Sequence, residues 1–116
     1  MWEDILKLRG LRNRRSARET VAVLDDYDFN DVVGSEFDYV MAGIMKKYYP
    51  HYTDERQQRF KARARKASRY INQFDYIKAL RIVKRIKGMV EQFDLPELDY
   101  LIELLAIKGN ERQTNS

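Results

Sequence analysis

The sequence predicts an all-α fold: a compact single-domain bundle of about five helices, not a coiled coil. Three observations carry this. Apolar residues recur at helical spacing through most of the chain, and capping residues punctuate those runs. Five Gly and two Pro supply too few turns for an all-β protein. A chain of 116 residues is one domain's length, and such a chain buries roughly 65% of its unfolded surface, enough for a core without staples. With 44% hydrophobic and 34% charged residues, it has the balance of a globular protein with a densely charged surface. The lack of cysteine excludes disulfides and thiolate metal sites.

The first stretch, residues 1–15, places Trp2, Ile5 and Leu6 or Leu8 on one side of a short helix that Gly10 weakens. Arg9, Arg12, Arg14, Arg15 and Arg18 follow closely. This run reads either as a solvated connector or as a mobile basic arm that orders on a phosphate backbone. Glu3, Asp4 and the charges interleaved with the apolar positions do not suit a signal peptide, so an intracellular, cytoplasmic protein is expected.

Ser16 and Glu19 have capping-box spacing. The helix they open sends Val21, Val23 and Leu24 inward and is expected to stop near residues 26–28. Its TVAVL run also suits a strand, and the cap decides for helix.

Residues 19–38 hold seven acids and no Lys or Arg. The series Asp25, Asp26, Asp28, Asp31 offers carboxylate oxygens for Mg²⁺ or Ca²⁺. It lacks the Gly at the sixth and the Glu at the twelfth position of a calcium loop counted from Asp26. The preferred reading is a solvated loop whose acids balance the basic helices, with no metal. Gly34-Ser35 then ends the loop, and Ser35 caps a helix carrying Phe37, Val40, Met41 and Ile44 inward until Pro50 stops it.

Tyr48, Tyr49 and Tyr52 surround Pro50 and His51. Packing of these rings at a helix corner is the preferred reading. Stacking of bases on Tyr49 and Tyr52 is the alternative.

Two basic helices come next. Between Thr53 and Phe93 there are twelve Lys/Arg against four Asp/Glu, in a chain whose net charge is only +4. Thr53 is the expected N-cap of the first helix, with Asp54 and Glu55 in its first turn. On a helical wheel Phe60, Ala64, Ala67 and Ile71 form a narrow apolar stripe, and cations cover the rest. The second helix spreads Ile77, Ala79, Leu80, Ile82, Val83, Ile86, Met89 and Val90 over about half its wheel, as a central core helix does. The last helix is expected to start at an Asp94 N-cap, face Leu98, Leu101, Ile102 and Leu105 inward, and close at a left-handed Gly109. The domain then spans 1–110, leaving 111–116 as a disordered tail.

Catalysis finds little support. His51 is the sole imidazole, and the chain holds neither a G-x-x-x-x-G-K nor a G-x-G-x-x-G loop. No cofactor is expected. Charge density points instead to nucleic-acid binding through phosphate contacts. The candidate residues are Arg56, Arg59, Arg63 and Lys66 on the first basic helix, Lys78, Arg81 and Arg85 on the second, and Arg12, Arg14 and Arg15 in the arm. The alternative is a protein-interaction adaptor, such as an accessory protein of a virus or mobile element. Its basic and acidic faces would then engage an acidic partner or a second copy of the chain.

Overall fold

The computed structural model describes residues 16–114, and these form an all-α bundle. Five α-helices follow in order: α1 Ala17–Val23, α2 Asp26–Lys47, α3 Asp54–Asn72, α4 Tyr76–Met89 and α5 Pro96–Thr114. A 3-10 turn, Tyr49–His51, joins α2 to α3. Among the described residues the α3/α4 pair is the most extensive helix–helix contact. Helix α4 also packs on α5, α1 lies on α5, and α2 touches both α3 and α5.

Ser16 caps α1 as expected, its hydroxyl accepting the Glu19 backbone N–H. The TVAVL run is therefore helical. Its inward face is Ala17, Thr20 and Val21, while Val23 is 54% exposed and Leu24 only half-buried. The helix is seven residues long because Asp25 caps a new one, its Oδ1 accepting the Asp28 N–H at 2.7 Å.

That new helix is the main departure from expectation. The acidic block is not a loop. Helix α2 runs unbroken for 22 residues through Gly34-Ser35. Phe29, Val33, Phe37, Val40 and Ile44 recur at i, i+4, i+8, i+11 and i+15, and all are buried. This stripe outweighs the roughly 1 kcal/mol that one helical glycine costs. The acids at residues 25–38 thus lie along a helix rather than around a loop. Among the described residues no group of three or more acidic, His or Cys side chains is placed to hold a metal ion.

Helix α3 follows its sequence pattern. Thr53 accepts the Arg56 N–H, and Phe60, Ala67 and Ile71 are buried. The core face of α4 is Tyr76, Ala79, Ile82, Val83, Ile86 and Met89, with Val90 just beyond. Ile77 and Leu80 are only half-buried. They sit at the edge of a wide apolar arc, which turns its centre to two neighbouring helices.

Helix α5 begins one residue later than an Asp94 cap requires. Pro96 takes the first helical position, where its missing N–H costs nothing, and Asp99 N–H reaches the Leu95 carbonyl. Nor does the helix close at Gly109. It continues to Thr114, and no described glycine has positive φ. Residues 111–114, expected in a tail, are helical. Gly109 is buried mid-helix because α4 passes close by: a Cβ there would stand 2.7 Å from Ile77 Cδ1.

Candidate nucleic-acid interface

The antiparallel α3/α4 hairpin turns at Phe74, so residues equally distant from it face one another. Arg63 and Arg85, each eleven positions from Phe74, meet this way. They line an open cleft of about 460 Å³ together with Thr53, Arg56, Arg59, Gly88 and Met89. A Cβ at Gly88 would meet nothing within 4 Å, so the α4 wall is open there. Four of the expected binding residues, Arg56, Arg59, Arg63 and Arg85, are therefore gathered in one place.

Their surroundings differ. Arg59 donates to Glu55 Oε1 at 2.8 Å, but both side chains are well exposed. Such an i,i+4 pair is worth only a few tenths of a kcal/mol and yields readily to a stronger anion. Arg63 and Arg85 have no ion-pair partner among the described residues. Arg56 is committed elsewhere. Its guanidinium lies 4.5 Å over the Tyr52 ring and donates to the Met89 carbonyl, closing the C-terminal end of α4.

Tyr52 shares that task, its hydroxyl donating to the same Met89 carbonyl at 3.1 Å. Burial raises the phenol's pKa, against an opposing effect of Arg56. Tyr52 thus packs against the C-terminal end of α4, with one ring face covered and its hydroxyl engaged. Tyr48 likewise packs, stacked on Phe93 at 3.7 Å between centroids. The Tyr49 side chain lies outside the described residues.

The remaining cations fall outside the cleft lining. Lys66 and Arg81 are exposed on α3 and α4, nearer the hairpin turn. Lys78 sits in the first turn of α4, 3.7 Å from Asp75 and 5.7 Å over the Tyr70 ring. It is seven residues, about 10 Å, from Arg85. Arg12, Arg14 and Arg15 lie outside the described residues. Sequence reasoning missed Thr53, Gly88 and Met89 as cleft walls, although the hairpin geometry would have paired α3's first turns with α4's last.

His51 is exposed on the 3-10 turn and is not among the cleft-lining residues. No helix among the described residues is long and apolar enough to cross a membrane. No family model matches the chain, and neither a curated protein nor a solved structure does.

Proposed function

We propose that the chain is a non-enzymatic, cytoplasmic binding protein that holds nucleic acid by its phosphate backbone, with the α3/α4 cleft as the contact. One observation supports this reading above others: Arg59, Arg63 and Arg85 converge on an open cleft, and Arg63 and Arg85 have no carboxylate of their own among the described residues. Guanidinium groups suit phosphate because they donate two parallel hydrogen bonds to its oxygens. Arg56 holds the cleft's shape, and Lys66 and Arg81 extend the positive surface along the two helices. Backbone contacts carry no sequence information, so recognition should be of charge and not of base order.

A gel-shift series with salt titration tests this on duplex DNA, duplex RNA and single strands of mixed sequence. Affinity should fall steeply with salt as counterions are released. Arg59→Glu with Arg63→Glu should weaken all ligands together and flatten the log–log salt slope by about 2, one for each phosphate no longer neutralised. No detectable binding to any of these ligands at low salt overturns the proposal.

A further inference from the structure

We infer that a second copy of this chain docks head to tail, with the acidic tip of its α2 in the arginine cleft. The two surfaces stand at opposite ends of one rigid bundle. Helix α2 begins beside the hairpin turn, where Tyr27 lies 6.0 Å from Phe74 and the Tyr76 hydroxyl donates to Asn30 Oδ1 at 2.9 Å. It finishes at the other end, where Tyr48 stacks on Phe93 just beyond α4. Arg59 and Arg63 are fifteen and eleven residues from Phe74 along α3, about 22 and 16 Å at the helical rise. The acidic tip therefore cannot reach its own cleft.

What the tip presents fits what the cleft lacks. Tyr27 is 77% exposed, the most exposed large hydrophobic side chain of the described residues. Asp31 shares its face at i+4, and Asp28 lies beside it, both exposed. Neither carboxylate has an ion-pair partner among the described residues. Two cations beside the tip among the described residues are already engaged: Lys108 pairs with Asp26, and Arg112 lies over Phe74 and Tyr76. A tyrosine ring flanked by two exposed carboxylates can stack on one guanidinium while the acids pair with others. Lys46 and Lys47, exposed at the far end of α2, make the receiving end more positive still.

Such a contact joins two different patches, so it is heterologous. It either propagates as an open chain or closes as a ring. Because nucleic acid would occupy the same cleft, the two ligands compete, although self-association does not depend on nucleic-acid binding.

The test uses two full-length variants and sedimentation velocity at low salt. Asp28→Lys with Asp31→Lys removes the tip and keeps the cleft. Arg59→Glu with Arg63→Glu removes the cleft and keeps the tip. The unmodified chain should gain mass with concentration, and salt should reverse the gain. Each variant alone should stay at the single-chain mass of 13.9 kDa. Mixed in their neutral forms, Asp28→Asn with Asp31→Asn and Arg59→Gln with Arg63→Gln, they should form a 1:1 pair and nothing larger, since one intact tip meets one intact cleft and no reversed tip meets a reversed cleft. If the reversals disturb folding by circular dichroism, the neutral forms take their place throughout. An unmodified chain that stays monomeric at millimolar concentration overturns the inference. So does a variant that associates alone, or a mixture that stays monomeric. The tip variant's nucleic-acid binding, read separately, reports on the cleft proposal alone.

Discussion

Lys108 is buried in the bundle with its Nζ 2.7 Å from Asp26 Oδ1, joining α5 to the first turn of α2. Glu111 Oε1 stands 3.6 Å away on the next turn of α5, and the Phe29 ring lies 5.4 Å from the ammonium. Asp26 itself is exposed, so the pair places a buried cation against a wet anion. Removing the Asp26 charge leaves the buried ammonium with only the longer Glu111 contact, whereas removing the cation leaves a solvated carboxylate. Asp26→Asn should therefore destabilise more than Lys108→Met, which should cost under about 1.5 kcal/mol as a swap of similar volume.

The same pair sets a pH dependence. The hydrogen bond from Lys108, then its charge, holds the Asp26 carboxyl below its ordinary value of 3.8. A depressed carboxylate contributes stability that is present above its unfolded pKa and lost as pH falls through the folded one. The contribution should be full above 3.8 and fade below it. Urea denaturation of Asp26→Asn across that range should show a shallower acid loss than the unmodified chain. Parallel profiles would assign the acid sensitivity to other carboxylates.

Two helical glycines should respond oppositely to alanine. In a helix interior the substitution gains about 1 kcal/mol from propensity. At Gly43 the new Cβ meets nothing within 4 Å, so Gly43→Ala should stabilise by about that amount. At Gly109 the Cβ would stand 2.7 Å from Ile77 Cδ1, 3.2 Å from its Cγ1 and 3.6 Å from its backbone N. Overpacking costs about 1–3 kcal/mol, so Gly109→Ala should be net destabilising by about 1 kcal/mol. Ile77→Val in the same chain should recover part of the loss. Thermal melts of the three variants check the signs.

Gly109 also shows where the sequence was hard to read. A Lys-Gly-Asn run resembles a helix end, and only the passage of α4 beside it explains a glycine kept for close approach. Gly34-Ser35 misleads the same way: the local cap signal was plain, and the competing stripe from Phe29 to Ile44 had to be followed across it. Helix α3 was legible because Thr53, Phe60, Ala67 and Ile71 agree at every level. The arginines of α3 could be aligned on a wheel. Their meeting with Arg85, and the turning of Arg56 onto Met89, are tertiary and leave no periodic trace.

Phe74 carries a conformational cost that can be measured. It has φ +60°, the only positive value at a non-glycine among the described residues. It occupies the position after the α3 C-cap where glycine is usual: Phe74 N–H bonds to the Ile71 carbonyl and Asp75 N–H to the Tyr70 carbonyl. The left-handed conformation costs an L-residue about 1–2 kcal/mol. Contacts with Tyr27, Tyr76 and the Arg112 guanidinium offset it. Phe74→Ala loses the ring and keeps the strain, whereas Phe74→Gly loses the ring and relieves it. Phe74→Gly should thus be more stable than Phe74→Ala by about 1 kcal/mol. Equal stability, or the reverse order, would mean that the backbone there is not strained.

Arg56 and Arg63 line the same cleft but should fail in different ways. Arg56 and Tyr52 both donate to the Met89 carbonyl, one of the groups that the end of α4 leaves without a helical partner. A hydrogen bond from a charged donor is worth about 1.5–3 kcal/mol, and the guanidinium also covers the Tyr52 ring. Arg56→Ala should therefore destabilise by about 1–3 kcal/mol, and Arg56→Lys should recover little, since an ammonium stacks and reaches less well. Tyr52→Phe removes the second donor and should cost about 0.5–1.5 kcal/mol. Because the two act on one carbonyl, the double variant should depart from the sum of the singles. Arg63→Ala makes no such contact and should leave stability within about 0.5 kcal/mol of the unmodified chain. In nucleic-acid binding the order should invert: Arg63→Ala lowers affinity and the salt slope in a fully folded chain. Arg56→Lys, compared at a temperature where both are folded, should change the slope less. If Arg56→Ala melts with the unmodified chain while Arg63→Ala unfolds early, the roles given to the two arginines are reversed.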